Sequence, residues 1–422
     1  VVATHRQFGR PPVKAAAVDL LRGLVLRSVP GALNLVALVI VGQRLQGAEF
    51  GLYSTAVASL TLVASLAYGP VIHSLVSQYA RAEQRGLTAD YLATTASVLT
   101  GITLAVLALG WVVVAAGFLH WLQLLVIPCF GLFRVMQELL RARLCINEFF
   151  VCALCQAATF VILNLAAVEA GDDCLGVLSN FLLSNVAGLL LSVLIARPRF
   201  SGVRNAGLMR DSMRIGFPYT LSTLAESGIF LGLRYLTMLF GPPGYIGEFS
   251  FCVDLAQRTV GFFVNIAGFM AIPRAFRRET SEGLPGFRRE LRTSGLLSVT
   301  VALAVLAAVL LAYWLGLMDY LGLSIFDPAA FAIVSLAVIV NRSRKLLFDP
   351  EALRQASVSP VLTGYVAGSL VACTLGCAGL AGAVPRGVEL AYLSGYTCAA
   401  LLCAMLLRRR MPTGMRITPV DS

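Results

Sequence analysis

Apolar residues run along this chain in long blocks separated by short polar breaks. Read against those breaks, the blocks place spans near 19–44, 50–79, 90–117, 119–142, 149–170 and 175–196. A polar, basic stretch at 197–214 follows. Six further spans lie near 215–240, 245–273, 292–317, 327–348, 357–381 and 386–407. A bilayer core of ~30 Å takes about 20 helical residues to cross, and the blocks have that length. They do not alternate apolar and polar positions, as barrel strands would. Within lipid every backbone amide needs an internal partner, which leaves helices. The longest blocks predict helices that tilt or protrude. The pattern therefore predicts an all-α polytopic membrane protein with about twelve transmembrane helices.

Composition strengthens this reading. Hydrophobic residues make up 58% of the 422 and charged residues 13%, and the mean hydropathy is +0.81. Soluble domains carry roughly a quarter charged residues, so this chain has too little polar surface to coat a water-soluble globule. The net charge of +11 could suggest nucleic acid, but its distribution has another explanation. Alternate segments hold the basic residues: Arg6 to Arg27 in the N-terminal segment, Arg81 and Arg85, Arg141 and Arg143, five arginines from Arg197 to Arg214, six from Arg274 to Arg292, Arg342 to Arg354, and Arg408 to Arg416. Together they hold 28 of the 33 Lys and Arg residues. The opposite side has only Arg44 and Arg386. Positive charge stays on the cytoplasmic side, so both termini are expected there, and no nucleic-acid partner is needed. The basic stretch before the first span, with no small-residue cleavage site, predicts no cleaved leader. The ten cysteines lie mostly in apolar blocks. The Cys152-x-x-Cys155 pair there reads as packing rather than redox or metal chemistry.

The two sets of six resemble each other. Phe50-Gly51-Leu52-Tyr53-Ser54 opens span 2, and Ile246-Gly247-Glu248-Phe249-Ser250 opens span 8. Arg81-Ala82-Glu83 and Arg277-Arg278-Glu279 close those spans at the same offset, and Arg141-Ala142-Arg143 parallels Arg342-Ser343-Arg344. Six spans per half keep both halves in one orientation, a parallel repeat about the membrane normal. We expect a six-helix bundle over 1–196, a cytoplasmic basic linker over 197–214, and a second six-helix bundle with a tail over 215–422. Substrates of such transporters bind where the repeats meet.

Two stretches carry a family resemblance. One is GALNLVALVIVGQRLQGAEFGLYSTAVASL at 31–60 with YGPVIHSLVSQYARAE at 68–83. The other is RIGFPYTLSTLAESGIFLGLRYLTMLFGPPGYIGEFSFCVDLAQ at 214–257 with IPRAFRRE at 272–279. These segments resemble the Wzx-type polysaccharide (O-antigen) flippases of the multidrug/oligosaccharidyl-lipid/polysaccharide (MOP) exporter superfamily. Helix number, the repeat and the Arg-Ile-Gly-x-Pro opening of span 7 fit along the whole chain. Members often carry Asp-Arg-Tyr in span 7, where this chain has Leu233-Arg234-Tyr235. The resemblance implies a MOP/MATE-like fold in the bacterial inner membrane. It implies a cargo of undecaprenyl-pyrophosphate-linked oligosaccharide, moved between leaflets for surface polysaccharide biosynthesis. A polysaccharide polymerase and chain-length proteins would be downstream partners. No cofactor is implied beyond coupling to a proton or sodium gradient.

A pyrophosphate and its glycan cannot cross hydrocarbon unaided, so charges inside the spans are the candidate site. Arg134, Arg234 and Arg258 would form a cationic cleft, because a guanidinium stays charged and binds phosphate bidentately. Each competes with a local alternative. Glu138 is four residues from Arg134, and Asp254 is four from Arg258, each pair on one helical face. Arg234 has no acid at that spacing. Glu226, Asp254 and Glu138 are the candidate ion-coupling acids, and each could equally serve helix packing. His73, Tyr68, Tyr219 and Asn34 could face the cargo or pack. Pro30-Gly31, Gly69-Pro70, Pro218 and Pro273 could bend their spans. No Walker motif, H-E-x-x-H or other catalytic constellation appears, so an enzyme is not expected. The alternatives are an ion-coupled multidrug exporter of the same superfamily, a lipid II flippase, in whose family fourteen helices are usual where this chain has room for twelve, and a membrane polymerase or glycosyltransferase. The short outer breaks disfavour the last.

Overall fold

The structure is a computed structural model. It describes residues 13–45, 47–117, 119–143, 145–166, 173–198, 201–242, 244–323, 325–354, 358–382 and 386–409. Among these residues the only regular elements are helices. The first half holds α1 (Val13–Arg44), α2 (Ala48–Gln84), α3 (Thr88–Ala115), α4 (Trp121–Ala142), α5 (Ile146–Ala166) and α6 (Cys174–Ala196). The second holds α7 (Ala206–Phe240), α8 (Tyr245–Arg258), α9 (Val260–Trp314), the short α10 (Leu317–Tyr320), α11 (Pro328–Arg354), α12 (Ser359–Leu380) and α13 (Gly387–Arg409).

The twelve sequence blocks map onto these elements with three informative differences. First, the block at 245–273 is interrupted. Thr259 leaves helical geometry (φ −97, ψ −85) between α8 and α9, directly after Arg258. The helices run on through Pro70 and Pro218, and residue 273 also lies within a helix. Second, α9 covers two spans. Gly283, at φ 69 and ψ −164, turns the chain between two arms. That left-handed backbone suits a residue without Cβ. An Arg278–Glu290 ion pair of 3.1 Å fastens the two arms beside the turn. Third, α7 begins at Ala206, so the second part of the expected linker 197–214 is already helix. Asn205 caps it by accepting from the amides of Gly207 and Leu208.

Among the described residues, eight helices are long and apolar enough to cross a membrane: parts of α2 and α9, with α3, α4, α5, α6, α12 and α13. The chain is thus a multi-pass membrane protein. The remaining four spans are α1, α7, α8 with the first arm of α9, and α11. Of these, α7, α8 and α11 carry intramembrane charges, which lowers their hydropathy. Such residues face a bundle interior rather than lipid.

The repeated motifs meet each other. A Cβ built on Gly51 would lie 2.7 Å from Ile246, and one on Gly247 would lie 1.9 Å from the Gly47 carbonyl oxygen. The starts of α2 and α8 are therefore pressed together backbone to backbone, as two segments related by a central axis would be. A second close crossing joins α2 to α7, where a Cβ on Gly216 would lie 1.9 Å from the Pro70 oxygen. The largest apolar cluster draws on both halves, with Ala37 and Val41 of α1 and Phe50 of α2 against Phe249, Phe251 and Val253 of α8.

The two arginines on the sparse side are each held. Arg44 donates to the backbone oxygen (2.6 Å) and side-chain oxygen (3.2 Å) of Asn164. Arg386 pairs with Asp327.

Candidate functional site between the two halves

Helix α11 was expected to end near 348, with Arg342, Arg344 and Lys345 counted in its basic flank. The helix instead continues to Arg354, and these three residues project into the protein. Lys345 donates to Glu226 of α7 at 2.6 Å, and Asn341 Nδ2 donates to the other oxygen of Glu226 at 2.9 Å. The Tyr365 hydroxyl of α12 donates to Asn341 Oδ1 at 2.9 Å. Arg344, fully buried, donates to that hydroxyl at 2.6 Å and pairs with Asp349 at 3.0 Å. Lys345, Glu226, Asn341, Tyr365, Arg344 and Asp349 therefore form one continuous polar network. Buried charges persist in a bundle only when partnered in this way.

The network borders a cavity of about 200 Å³. Its walls are Thr61 and Ser65 of α2, Thr223, Glu226 and Ser227 of α7, Gln257 of α8, Asn341, Arg342 and Lys345 of α11, and Tyr392 and Tyr396 of α13. Both halves contribute. A second cavity of about 390 Å³ lies beyond Gln257, which lines both. Its walls are apolar and aromatic, with Pro30 and Gly31 of α1, Phe149 and Phe150 of α5, and Phe262 of α9. Asn34, Arg258 and Asn265 supply its polar groups. Together the two cavities offer a polar, cationic chamber beside an apolar one, with Gln257 on the wall of each.

The sequence-designated residues divide around these cavities. Arg258 lines the apolar-walled cavity and donates to the Asn34 carbonyl at 2.6 Å. It does not pair with Asp254. That carboxylate accepts from Arg234 Nη2 at 2.6 Å and from the Ser54 hydroxyl at 2.5 Å. Arg234 Nη1 also donates to the Ser54 hydroxyl (2.7 Å) and carbonyl (3.1 Å). Arg234 is only 2% exposed and lines neither cavity. It ties α7 to α2 and α8. Its acid lies 20 positions away on the next helix, which is why the i±4 test failed to find it. Glu138 pairs with Arg141 at 3.2 Å rather than with Arg134. The Arg134 side chain is exposed and within electrostatic reach of His73, as is Lys345. His73 packs 6.1 Å from the Tyr219 ring. Tyr68 is buried and bonds Thr103 at 2.8 Å, and Asn34 Nδ2 donates to the Pro30 carbonyl.

Sequence reasoning missed Lys345, Arg342, Asn341 and Gln257. A signal existed: Val338, Asn341, Arg342 and Lys345 recur at i, i+3, i+4 and i+7, the single face of a helix. Among the described residues no cluster of His, Cys, Asp and Glu could hold a metal ion.

The class defined by this arrangement is an all-helical, multi-pass membrane protein of the MOP/MATE-like fold. Solved structures bear this out. A lipid II flippase, MurJ in an inward closed conformation, superposes with a TM-score of 0.67 at 13% identity, covering 92% of this chain and 87% of its own. A MATE protein in the straight conformation gives 0.59 at 16% identity, with 95% and 96% covered. An outward-facing multidrug resistance MATE family transporter of the MOP superfamily gives 0.57 at 15%, again with 95% and 96% covered. No protein-family model matches the sequence, and no curated protein matches it.

Proposed function

We propose that this protein is a flippase. On this reading it carries an undecaprenyl-pyrophosphate-linked oligosaccharide between leaflets of the bacterial inner membrane, with both termini in the cytoplasm. The observation that carries the proposal is the pair of neighbouring cavities that share Gln257 as a wall. The cargo has three parts: an apolar tail, a pyrophosphate and a sugar chain. Phe149, Phe150 and Phe262 offer the tail an aromatic wall. Arg258, Arg342 and Lys345 offer cations to the pyrophosphate. Thr61, Ser65, Thr223, Gln257 and the two tyrosines offer hydroxyls and an amide to the glycan. The named cations outnumber Glu226, which disfavours a cationic drug. The MATE-like fold keeps the multidrug exporter as the second reading. Neither reading involves catalysis by this chain.

Alternating access would come from rocking of the halves, taken as 1–196 and 215–422 about the 197–214 segment. Among the three acids named from sequence, Glu226 is the one on the cavity wall and the best candidate for proton or sodium coupling. Asp254 and Glu138 are held by arginines away from it. Product would pass to a polymerase and chain-length proteins on the far side.

Deleting the gene should abolish a surface polysaccharide and cause lipid-linked repeat units to accumulate inside the cell. Complementation with Lys345→Ala or Arg258→Ala should restore less than about a tenth of export, a loss of ~1.4 kcal/mol or more. Full export by both variants would sink the cationic-chamber reading. A deletion that changes only drug tolerance would favour the exporter.

A further inference from the structure

A third cavity, of about 420 Å³, lies between α9, α11 and α13, apart from the two just described. Each helix contributes one face. The second arm of α9 presents Arg288, Leu291 and Arg292, while α11 presents Leu347, Phe348 and Glu351. From α13 come Ala404, Leu407 and Arg408. The α9 and α13 sets follow i, i+3, i+4 spacing, and Leu347 and Phe348 stand four and three residues before Glu351, so each set is a single stripe.

The stripes are ordered along the membrane normal. Helices α11 and α13 end at the arginine-rich side of the bundle, and the second arm of α9 begins there. Arg408 and Glu351 therefore stand nearest that side on their helices, with Phe348, Leu347 and Ala404 deeper. At 1.5 Å per residue, Ala404 and Arg408 differ in depth by ~6 Å. Arg288 likewise stands shallowest on its stripe, and Arg292 lies one turn deeper, by ~6 Å. The groove is thus charged at its mouth and along its α9 wall, and apolar on the α11 and α13 walls within. A satellite apolar cluster containing Phe287, Leu291 and Leu346 forms the floor behind it.

Charge adds the second constraint. Arg288 pairs with Glu351 at 3.4 Å. Arg292 and Arg408 are exposed and make no ion pair or hydrogen bond among the described residues. The mouth and the α9 wall therefore hold a surplus of guanidinium. An apolar groove with a cationic mouth at a membrane surface matches an amphiphile whose headgroup is an anionic phosphate.

We propose that this groove binds an acidic glycerophospholipid of the leaflet at the arginine-rich side, with its phosphate on Arg292 and Arg408 and acyl chain against Phe348, Leu347 and Ala404. This would be a lipid site separate from the transport cavities, and it does not depend on what the cavities carry. A bound lipid stabilises the folded state by mass action.

The test uses the full chain in neutral detergent and follows thermal unfolding with phosphatidylglycerol, phosphatidylcholine or inorganic phosphate added. Phosphatidylglycerol should raise the midpoint by several degrees and remain attached in native mass spectra, whereas the other two should not. The R292Q/R408Q pair should lose that shift. Ala404→Phe, which fills the groove without changing charge, should lose it as well. Equal shifts from phosphatidylcholine would overturn the proposal. So would a shift from inorganic phosphate alone, which would make this a free-anion site. Persistence of the phosphatidylglycerol shift in both variants would place the lipid elsewhere.

Discussion

At the scale of single residues, the cavity charges and the structural charges differ in what surrounds them. Arg234 has donors to Ser54 on α2 and to Asp254 on α8, so it holds three helices at one point. Removing one member of such a buried pair costs about 3–5 kcal/mol, because the survivor keeps its charge without a partner. Arg234→Met should therefore lower the unfolding midpoint strongly, towards the smaller end of that range because Asp254 keeps 22% exposure. The double variant R234M/D254N should recover most of the stability and, with it, export per folded molecule. If the double variant is stable but inert, Arg234 touches cargo after all, as the sequence alone suggested. That suggestion was reasonable, since an arginine without an acid at i±3 or i±4 is unpaired as far as one helix can show. Sequence spacing reports neighbours on one helix and is blind to partners across helices. The same blindness hid Lys345 from Glu226, 119 positions earlier. Glu226 and Arg258 were legible because a charge within an apolar block stands out by itself.

At the scale of elements, most boundaries were legible because span length and hydropathy are local properties. The block at 175–196 became α6 nearly unchanged, and that at 149–170 became α5, its last four positions lying outside the described residues. The end of α11 was illegible. Its basic residues look like a cytoplasmic flank unless their partners Glu226, Tyr365 and Asp349 are known to surround them. The start of α11 offers a test. Asp327 caps it by accepting from the amides of Ala329 (2.9 Å) and Ala330 (3.2 Å) and also holds Arg386. Partial burial pushes the Asp327 carboxyl up. Hydrogen bonds from Arg386 and the Ala330 amide outweigh that push, so the carboxyl is held below its usual range. A carboxyl depressed on folding stabilises fully above its unfolded pKa of ~3.9 and loses that contribution as pH falls through the lower folded value. Asp327→Ala should cost about 0.5–2 kcal/mol at neutral pH. Thermal unfolding at neutral pH and at successively lower pH should show the difference between wild type and variant shrinking only in strong acid. A gap that stays constant through that range would mean the side chain acts by packing alone.

At the scale of the whole molecule, the internal repeat read from sequence has a mechanical counterpart. The segments that matched each other, at the starts of α2 and α8, are the ones that touch, with Gly247 against the Gly47 carbonyl and Gly51 against Ile246. This contact lies at the end of the bundle opposite the arginine-rich segments. Any rocking that opens that end must separate it. Glycine is required there for close approach, since a Cβ on Gly247 would sit 1.9 Å from an oxygen that belongs to backbone and cannot rotate aside. Gly247→Ala should therefore force the two helix starts apart and shift the population towards the form open at that end. A native reporter lies just inside. Cys252 of α8 is fully buried, with its thiol against the Asp327 backbone. In intact cells a membrane-impermeant maleimide should leave Cys252 unmodified in the wild type and label it in Gly247→Ala, as read by peptide mapping. On the proposed flippase reading, export should slow in the variant, because a closed state that is harder to reach lengthens every cycle. Labelling that stays at the wild-type level together with unimpaired export would mean that the contact is not the seal.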